Sequence, residues 1–155
     1  MHHGAFAMEP AMKPRYFSLI ALALLFTSAH AIDDGRHAVE MPDMMKSHML
    51  ANMRDHLLTL GEIQSALASG KYDAAADLAE TRLGMSSLDS HGASHMAGFM
   101  PKGMQKIGTG MHRAASRFAV VAQEANVTRD PSHSLRALSE VTQQCVACHA
   151  GYRLK

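Results

Sequence analysis

Apolar side chains recur at steps of three or four residues along most of the chain beyond residue 42. The first such stripe follows Asp43 and consists of Met49, Met53, Leu57, Leu60, Ile63 and Leu67. Because Arg54, Asp55, Glu62 and Ser65 lie off the stripe, the pattern predicts an amphipathic helix, which Gly70 would end. The polar segment before it, residues 32–40, is expected to be a frayed lead-in.

Three further stripes predict three more helices. The second helix is expected over residues 72–88, with Gly84 as a candidate early end, and the third over residues 101–125. Residues 89–98 are rich in glycine and small polar residues, and are therefore expected to form a loop. The fourth helix starts at Pro131. It carries four apolar or thiol side chains on one face and is expected to run to the end of the chain: Leu135, Leu138, Val141 and Cys145.

Four amphipathic helices with short connections are typical of an all-α, antiparallel up-down-up-down four-helix bundle. The composition agrees with this, because aromatic residues are scarce and Trp is absent, and no segment is expected to be a strand. A chain of 155 residues is long enough for one domain with a core. The 13 methionines are expected to fill that core as flexible apolar side chains. The net charge of +1 predicts no nucleic-acid partner.

The N-terminal residues have the pattern of a secretory signal peptide. Lys13 and Arg15 precede an apolar run over residues 16–26, and Ala29-His30-Ala31 supplies small residues for a cleavage site. The apolar run is too short to span a bilayer comfortably. We therefore predict that residues 1–31 are a signal peptide, removed on export to the periplasm.

The mature domain would then comprise residues 32–155. It would be formally neutral, because the removed segment holds two of the basic residues and one of the acidic ones. No membrane association is expected after cleavage. Met12 is an alternative start, in which case residues 1–11 would not belong to the protein.

A short motif near the C-terminus carries the strongest chemical signal. Cys145 and Cys148 are followed at once by His149, which is the C-x-x-C-H signature of covalent c-type haem attachment. On a helix the two thiols share a face, so both can react with one edge of a porphyrin while His149 ligates the iron. A closed zinc site would need further ligand pairs, and a redox dithiol would be expected in a βαβ context. The motif therefore predicts one covalent haem c.

The second side of the iron would face the first helix. In an antiparallel bundle, the end of the fourth helix lies beside the first half of the first helix. Five side chains there could reach the haem: Met45, His48, Met49, Met53 and His56. Met53 continues the apolar stripe at haem level next to Leu57, which is expected to be a haem-pocket residue. Met49 lies one turn, about 6 Å, nearer the helix start.

Residues 145–153 read C-x-x-C-H-x-x-Y-R. This segment resembles the C-terminal motif of the cytochrome c′ and low-spin c-556-type four-helix-bundle family, the class II c-type cytochromes. Residues 72–75 also resemble the start of that family's second helix. The resemblance implies an iron ligated by His149 and Met53, with Met49 as the runner-up. In the alternative, Met53 is only a wall above a five-coordinate iron.

The resemblance also implies a function. An iron with two protein ligands has no open position, so the expected role is a periplasmic one-electron carrier and not an enzyme. The alternative is a five-coordinate cytochrome c′ that binds nitric oxide or carbon monoxide. Arg153 would lie near a propionate or the proximal face, or else be a solvated terminal side chain. Redox partner proteins are implied without being identified, and both a monomer and a homodimer are open.

One feature departs from the family pattern. His91 and His95, with Met96, Met100 and Met104 beyond them, could bind copper or a similar metal ion. A polar loop and methionine packing would explain the same residues.

Overall fold

Helix is the main conformation in residues 34–155, the part of the chain that the computed structural model describes. Five α-helices lie in this part: α1 Asp43–Ala68, α2 Tyr72–Arg82, α3 Ala93–Ala97, α4 Lys102–Thr128 and α5 Ser132–Gly151. The all-α prediction is therefore confirmed. Among these residues, no helix combines the length and apolarity needed to cross a membrane. The signal-peptide prediction lies outside the described residues.

The helix boundaries follow local backbone signals. Helix α1 begins after Pro42, and Gly70 follows its end with a φ of +67°, a conformation that glycine adopts readily. The second helix does not reach residue 88, and the candidate early end at Gly84 is the correct one. That helix ends at Arg82 because Gly84 is extended, and a 3₁₀ turn, Met85–Ser87, follows.

The predicted loop over residues 89–98 is also only partly correct. It contains the five-residue helix α3, which starts after Gly92. The φ of +62° at Gly92 lets the chain turn sharply there, and a Cβ at this position would lie 3.2 Å from Nε2 of His48. A glycine is therefore needed where the loop passes close to α1.

Two short strands join the ends of the described unit. Strand β1, His37–Val39, pairs in parallel with β2, Tyr152–Leu154, so that His37 lies opposite Tyr152 and Val39 opposite Leu154. This corrects two predictions: residues 37–39 of the expected frayed lead-in form a strand, and the last helix stops at Gly151. Neither strand has a local signal, because each is three residues long and its partner lies at the other end of the unit.

The helices pack around two apolar clusters. Helix α4 packs closely against α2 and α5, and α2 packs against α1. The first cluster, called here the alanine-rich core, joins small side chains to a few large buried ones, such as Ile63, Leu83, Phe118 and Val141. The second, called here the methionine cluster, is built on Val39, Met49, Met96 and Met104, with four more methionines at its edge: Met41, Met45, Met53 and Met100. Core packing thus accounts for these methionines as expected.

One predicted inward position on α5 is wrong. Leu135 is 53% exposed, whereas Leu138 and Val141 on the same helix are buried. In the same turn, Ser134 is fully buried and donates a hydrogen bond of 3.4 Å to the carbonyl of Val121 of α4, so this turn faces α4 through Ser134 and not through Leu135.

Three histidine rings meet inside the unit. His56 of α1 and His112 of α4 are each 8% exposed, and His91 lies between them in the loop before α3. The ring centroids of His56 and His91 are 4.7 Å apart, those of His91 and His112 5.5 Å, and those of His56 and His112 6.1 Å. We call these three residues the histidine cluster.

Burial keeps the histidine cluster neutral. Desolvation is the main cause that lowers the pKa of all three rings, and for His56 it lowers the pKa from 6.5 to about 4. The neighbouring His91 and His112 add to the shift at His56, and Arg82 adds slightly, while the carboxylate of Asp55 opposes it.

The close approach of α4 to β2 can be tested at Gly103. A Cβ at Gly103 would overlap the hydroxyl oxygen of Tyr152, whereas a Cβ at Gly61 of α1 would meet no neighbouring atom within 4 Å. We expect Gly103→Ala to lower the free energy of unfolding by about 1 to 2 kcal/mol through overpacking. The control Gly61→Ala should raise it by about 0.5 to 1 kcal/mol through helix propensity. Urea denaturation measures both, and equal stabilisation by the two variants would contradict the packing.

The buried histidines predict loss of stability in acid. The unfolded chain takes up a proton at His56 near pH 6.5, but the folded chain does so only near pH 4. The free energy of unfolding should therefore fall as the pH decreases from 6.5 to 4, by at most about 3 kcal/mol from this residue. Urea denaturation in buffers containing EDTA measures the slope. His56→Gln should reduce the dependence of the unfolding free energy on pH. If the wild-type free energy of unfolding does not change between pH 6.5 and 4, the ring titrates normally.

Candidate functional site

The C-x-x-C-H residues lie in the last two turns of α5. The helix starts where the side chain of Asp130 accepts a hydrogen bond of 2.9 Å from the backbone N–H of Ser132, which satisfies one of the free donors of the first turn. No helix breaker follows before Gly151, so the motif is helical. Cys145 and Cys148 therefore lie one turn apart, and the structure records both as free thiols.

The two thiols are half-buried against different apolar clusters. Cys145 packs against the alanine-rich core, and Cys148 packs against the methionine cluster. Desolvation raises the pKa of both thiols above the usual value, so both are protonated at neutral pH. The pair thus lies where the two clusters meet.

A cavity of about 460 Å³ opens beside the thiols. Its walls are largely apolar and come from three helices: Leu50, Met53, Leu57 and Leu60 of α1, Ile107 and Met111 of α4, and Cys145, Cys148 and His149 of α5. We call this the apolar cavity. Its volume is within the range typical of ligand pockets.

A second cavity of about 440 Å³ adjoins the first. The two share Leu50, Met53, Cys148 and His149, but the second is also lined by Arg36, Lys46 and Arg153. We call it the cationic cavity. Nη1 of Arg36 donates a hydrogen bond of 3.4 Å to the backbone carbonyl of His149. The combined space therefore has an apolar part and a positively charged part.

The structure places the predicted site residues as follows. Met53 lines both cavities, together with Cys148 and His149. Met49 lines only the cationic cavity and is 8% exposed within the methionine cluster. Arg153 lines the cationic cavity as well. The set predicted from the sequence thus lines two cavities that have wall residues in common.

Leu57 has an unusual environment for a stripe residue. It lines the apolar cavity, as expected of a pocket residue, yet its side chain is 72% exposed. The apolar stripe of α1 is therefore not uniformly buried. The helix instead turns His56 and Thr59 inward, and Leu57 is left on the open wall of the cavity.

Sequence reasoning missed two cationic residues of the site. Arg36 precedes β1, and Lys46 lies in the first turn of α1. Neither has a local signal, since only the pairing of β1 with β2 and the docking of α1 bring them near His149. The proposed pairing of His91 with His95 also fails: His91 joins the histidine cluster, while His95 is exposed on α3.

Known proteins offer no guide to this site. No family model, no curated protein and no solved structure matches the chain. What the site does must therefore be inferred from its own residues.

Proposed function

We propose that this protein is a c-type cytochrome of the cytochrome c′ and c-556-like class, which acts as a periplasmic one-electron carrier. The main support is one observation. Both thiols of the C-x-x-C-H motif line the same apolar cavity as His149, on α5, and Met53, on α1. Two free thiols, an imidazole and a thioether around one apolar space are the side chains that a covalent haem c requires.

The apolar cavity fits a porphyrin in its chemistry. Leu50 and Leu57 line this space and are 40% and 72% exposed. Burying a leucine side chain fully is worth about 1.5 to 3 kcal/mol, which an apolar macrocycle placed there would recover in part. Cys145 and Cys148 would hold the group covalently, and their protonated thiols are the form consumed when a thiol adds across a vinyl group.

His149 and Met53 would be the iron ligands. A haem held by both side chains supplies a one-electron redox couple with no open coordination position. The imidazole comes from α5 and the thioether from α1, so the two ligands are carried by different helices. Met53 is preferred to Met49 because Met53 borders the apolar cavity as well as the cationic one.

The cationic cavity would receive the propionates. Arg36, Lys46 and Arg153 line it, and three cations next to an apolar space suit a ligand that is apolar at one end and anionic at the other. Arg36 also holds the last turn of α5 through its bond to the His149 carbonyl. The same residue would thus position the motif and balance a carboxylate charge.

The finer architecture belongs to the same proposal. We infer that α1, α2, α4 and α5 form an up-down-up-down bundle, with the haem between α1 and the α4–α5 pair. The support is the close packing of α4 on α2 and α5, and of α2 on α1. The apolar cavity lies where α1, α4 and α5 meet.

Covalent attachment can be tested by mass. The protein exported by a host with c-type maturation should have the mass of residues 32–155 plus one haem, and the haem should stay bound in denaturant. The Cys145→Ala/Cys148→Ala double variant should carry no covalent haem, whereas replacement of the exposed residue between them, Val146→Ala, should leave attachment unchanged. Wild-type protein without added haem mass would refute the proposal.

The sixth ligand can be tested by absorption spectroscopy. Reduced wild-type protein should show the sharp, split α and β bands of a low-spin haem and should not bind carbon monoxide. Met53→Ala should become high-spin, bind carbon monoxide and have a lower reduction potential, because a thioether ligand raises the potential.

Met49→Ala is the matched control for Met53→Ala, because it removes a methionine one turn away. It should keep the low-spin spectrum. A high-spin wild-type spectrum that shifts with carbon monoxide would instead favour the gas-binding alternative. If Met53→Ala stays low-spin and Met49→Ala becomes high-spin, then Met49 and not Met53 is the sixth ligand.

A further inference from the structure

The histidine cluster contains none of the proposed haem ligands, although His56 also lines the apolar cavity. His56 comes from α1, His91 from the loop before α3, and His112 from α4. Three distant parts of the chain thus bring three imidazole rings together, with centroids 4.7 to 6.1 Å apart. Polar rings placed inside a protein need hydrogen-bond or ligand partners to offset the loss of water.

The hydrogen bonds of two rings determine which nitrogen carries the proton. Nδ1 of His112 lies 2.8 Å from the carbonyl oxygen of Leu83, which can only accept, so this nitrogen carries the hydrogen. The hydroxyl of Ser87 donates to the carbonyl of Gly84 at 2.7 Å. Towards Nδ1 of His91, at 3.3 Å, the same hydroxyl oxygen must therefore accept.

The Nε2 atoms remain as lone-pair donors to a ligand. In His91 and His112 a protonated Nδ1 leaves an unprotonated Nε2 in the neutral ring. In His56, Nε2 is buried and has no hydrogen-bond partner. A buried polar atom without a partner costs free energy, so the arrangement is incomplete unless something binds there.

The loop that carries His91 is fixed to α1. The carbonyl oxygen of His91 accepts hydrogen bonds from Nε2 of His48, at 2.8 Å, and from Nδ2 of Asn52, at 3.0 Å. Asn52 lies one turn before His56 on α1, and His48 lies two turns before it. These hydrogen bonds fix the backbone of His91 beside α1, where its ring contacts the ring of His56.

We propose that His56, His91 and His112 bind one divalent transition-metal ion, such as Zn²⁺ or Cu²⁺, through their Nε2 atoms. Histidine ligands of metals commonly donate the other ring N–H to a carbonyl or similar acceptor, which is what Leu83 and Ser87 provide. Imidazole is a preferred ligand of zinc and copper. Three histidines would leave one position of a tetrahedral site for water.

The spacing of the rings agrees with this ligand set. Three imidazoles on one tetrahedral ion, with nitrogen atoms about 2.0 Å from it, have ring centroids roughly 5 Å apart. The observed separations, 4.7, 5.5 and 6.1 Å, bracket that value. The described part of the chain contains no ready-made metal site of three or more His, Cys, Asp or Glu side chains. Binding therefore requires the rings to turn about their side-chain torsions.

The test is a metal titration of the exported, haem-loaded protein after removal of metals with EDTA. Isothermal titration with Zn²⁺ at pH 7.5 should show one equivalent bound. Electron paramagnetic resonance of the Cu²⁺ form should show coupling to imidazole nitrogens. Neither readout depends on the haem, so a failure here is distinct from a failure of the electron-carrier proposal.

Variants identify the ligands. His91→Ala is the main variant, because His91 is only half-buried and lies in a loop; it should weaken binding by more than about 100-fold. The control is His95→Ala, four residues further on and exposed, which should bind as the wild type does. Ser87→Ala, which removes the acceptor behind His91, should weaken binding by about 10- to 100-fold while all three ligands remain.

The outcomes separate clearly. Stoichiometric binding that is lost in His91→Ala and kept in His95→Ala supports the site. Absence of stoichiometric binding by the wild type, or equal binding by wild type and His91→Ala, overturns it. If His91→Ala fails to fold by circular dichroism, Ser87→Ala decides in its place, and unchanged affinity in that variant counts against the proposal.

Discussion

The parallel pairing of β1 with β2 is the constraint on which the site depends. It joins the segment just before α1 to the segment just after α5, and the backbone N–H of Lys155 extends it by donating to the carbonyl of Val39 at 3.0 Å. Because His149 lies three residues before β2, the pairing brings the C-x-x-C-H motif to the first half of α1. Arg36 reinforces the same junction through the His149 carbonyl.

The packing of the helices leaves a space at this junction. The alanine-rich core lets α2, α4 and α5 approach closely, since small side chains occupy their contacts. On the other side of the thiols, methionines fill the interior, because their flexible side chains adapt to irregular gaps. The apolar cavity lies beside the thiols, and Leu57 on its wall is 72% exposed.

One stretch of α1 serves both proposed sites. Met53 lines the cavities, and His56, one turn later, enters the histidine cluster while still bordering the apolar cavity. On the outer side, Asp55 pairs with Arg82 of α2, which also pairs with Glu62 and so ties α1 to α2. A metal ion in the histidine cluster would therefore lie within about one helical turn of the haem pocket, and each site would add order to the other through α1.

Much of this protein could be predicted from local patterns. Residue spacing predicted α1, α4 and α5 with nearly correct bounds, because amphipathic periodicity and glycine or proline signals act over one or two turns. The C-x-x-C-H motif needed no tertiary information either, since its residues are neighbours on one helix. The buried face of α4, which includes Met104, Met111 and Phe118, follows the same spacing of three or four residues.

Only the tertiary structure decided the rest. The strands were invisible because three-residue segments acquire their conformation from a partner more than a hundred residues away. The burial of His56 and the exposure of Leu57 could not be predicted from spacing alone, because the rotation of α1 depends on what packs against it. The histidine cluster and the cationic wall draw on separate segments of the chain, and no local pattern records which distant side chains the fold will bring into contact.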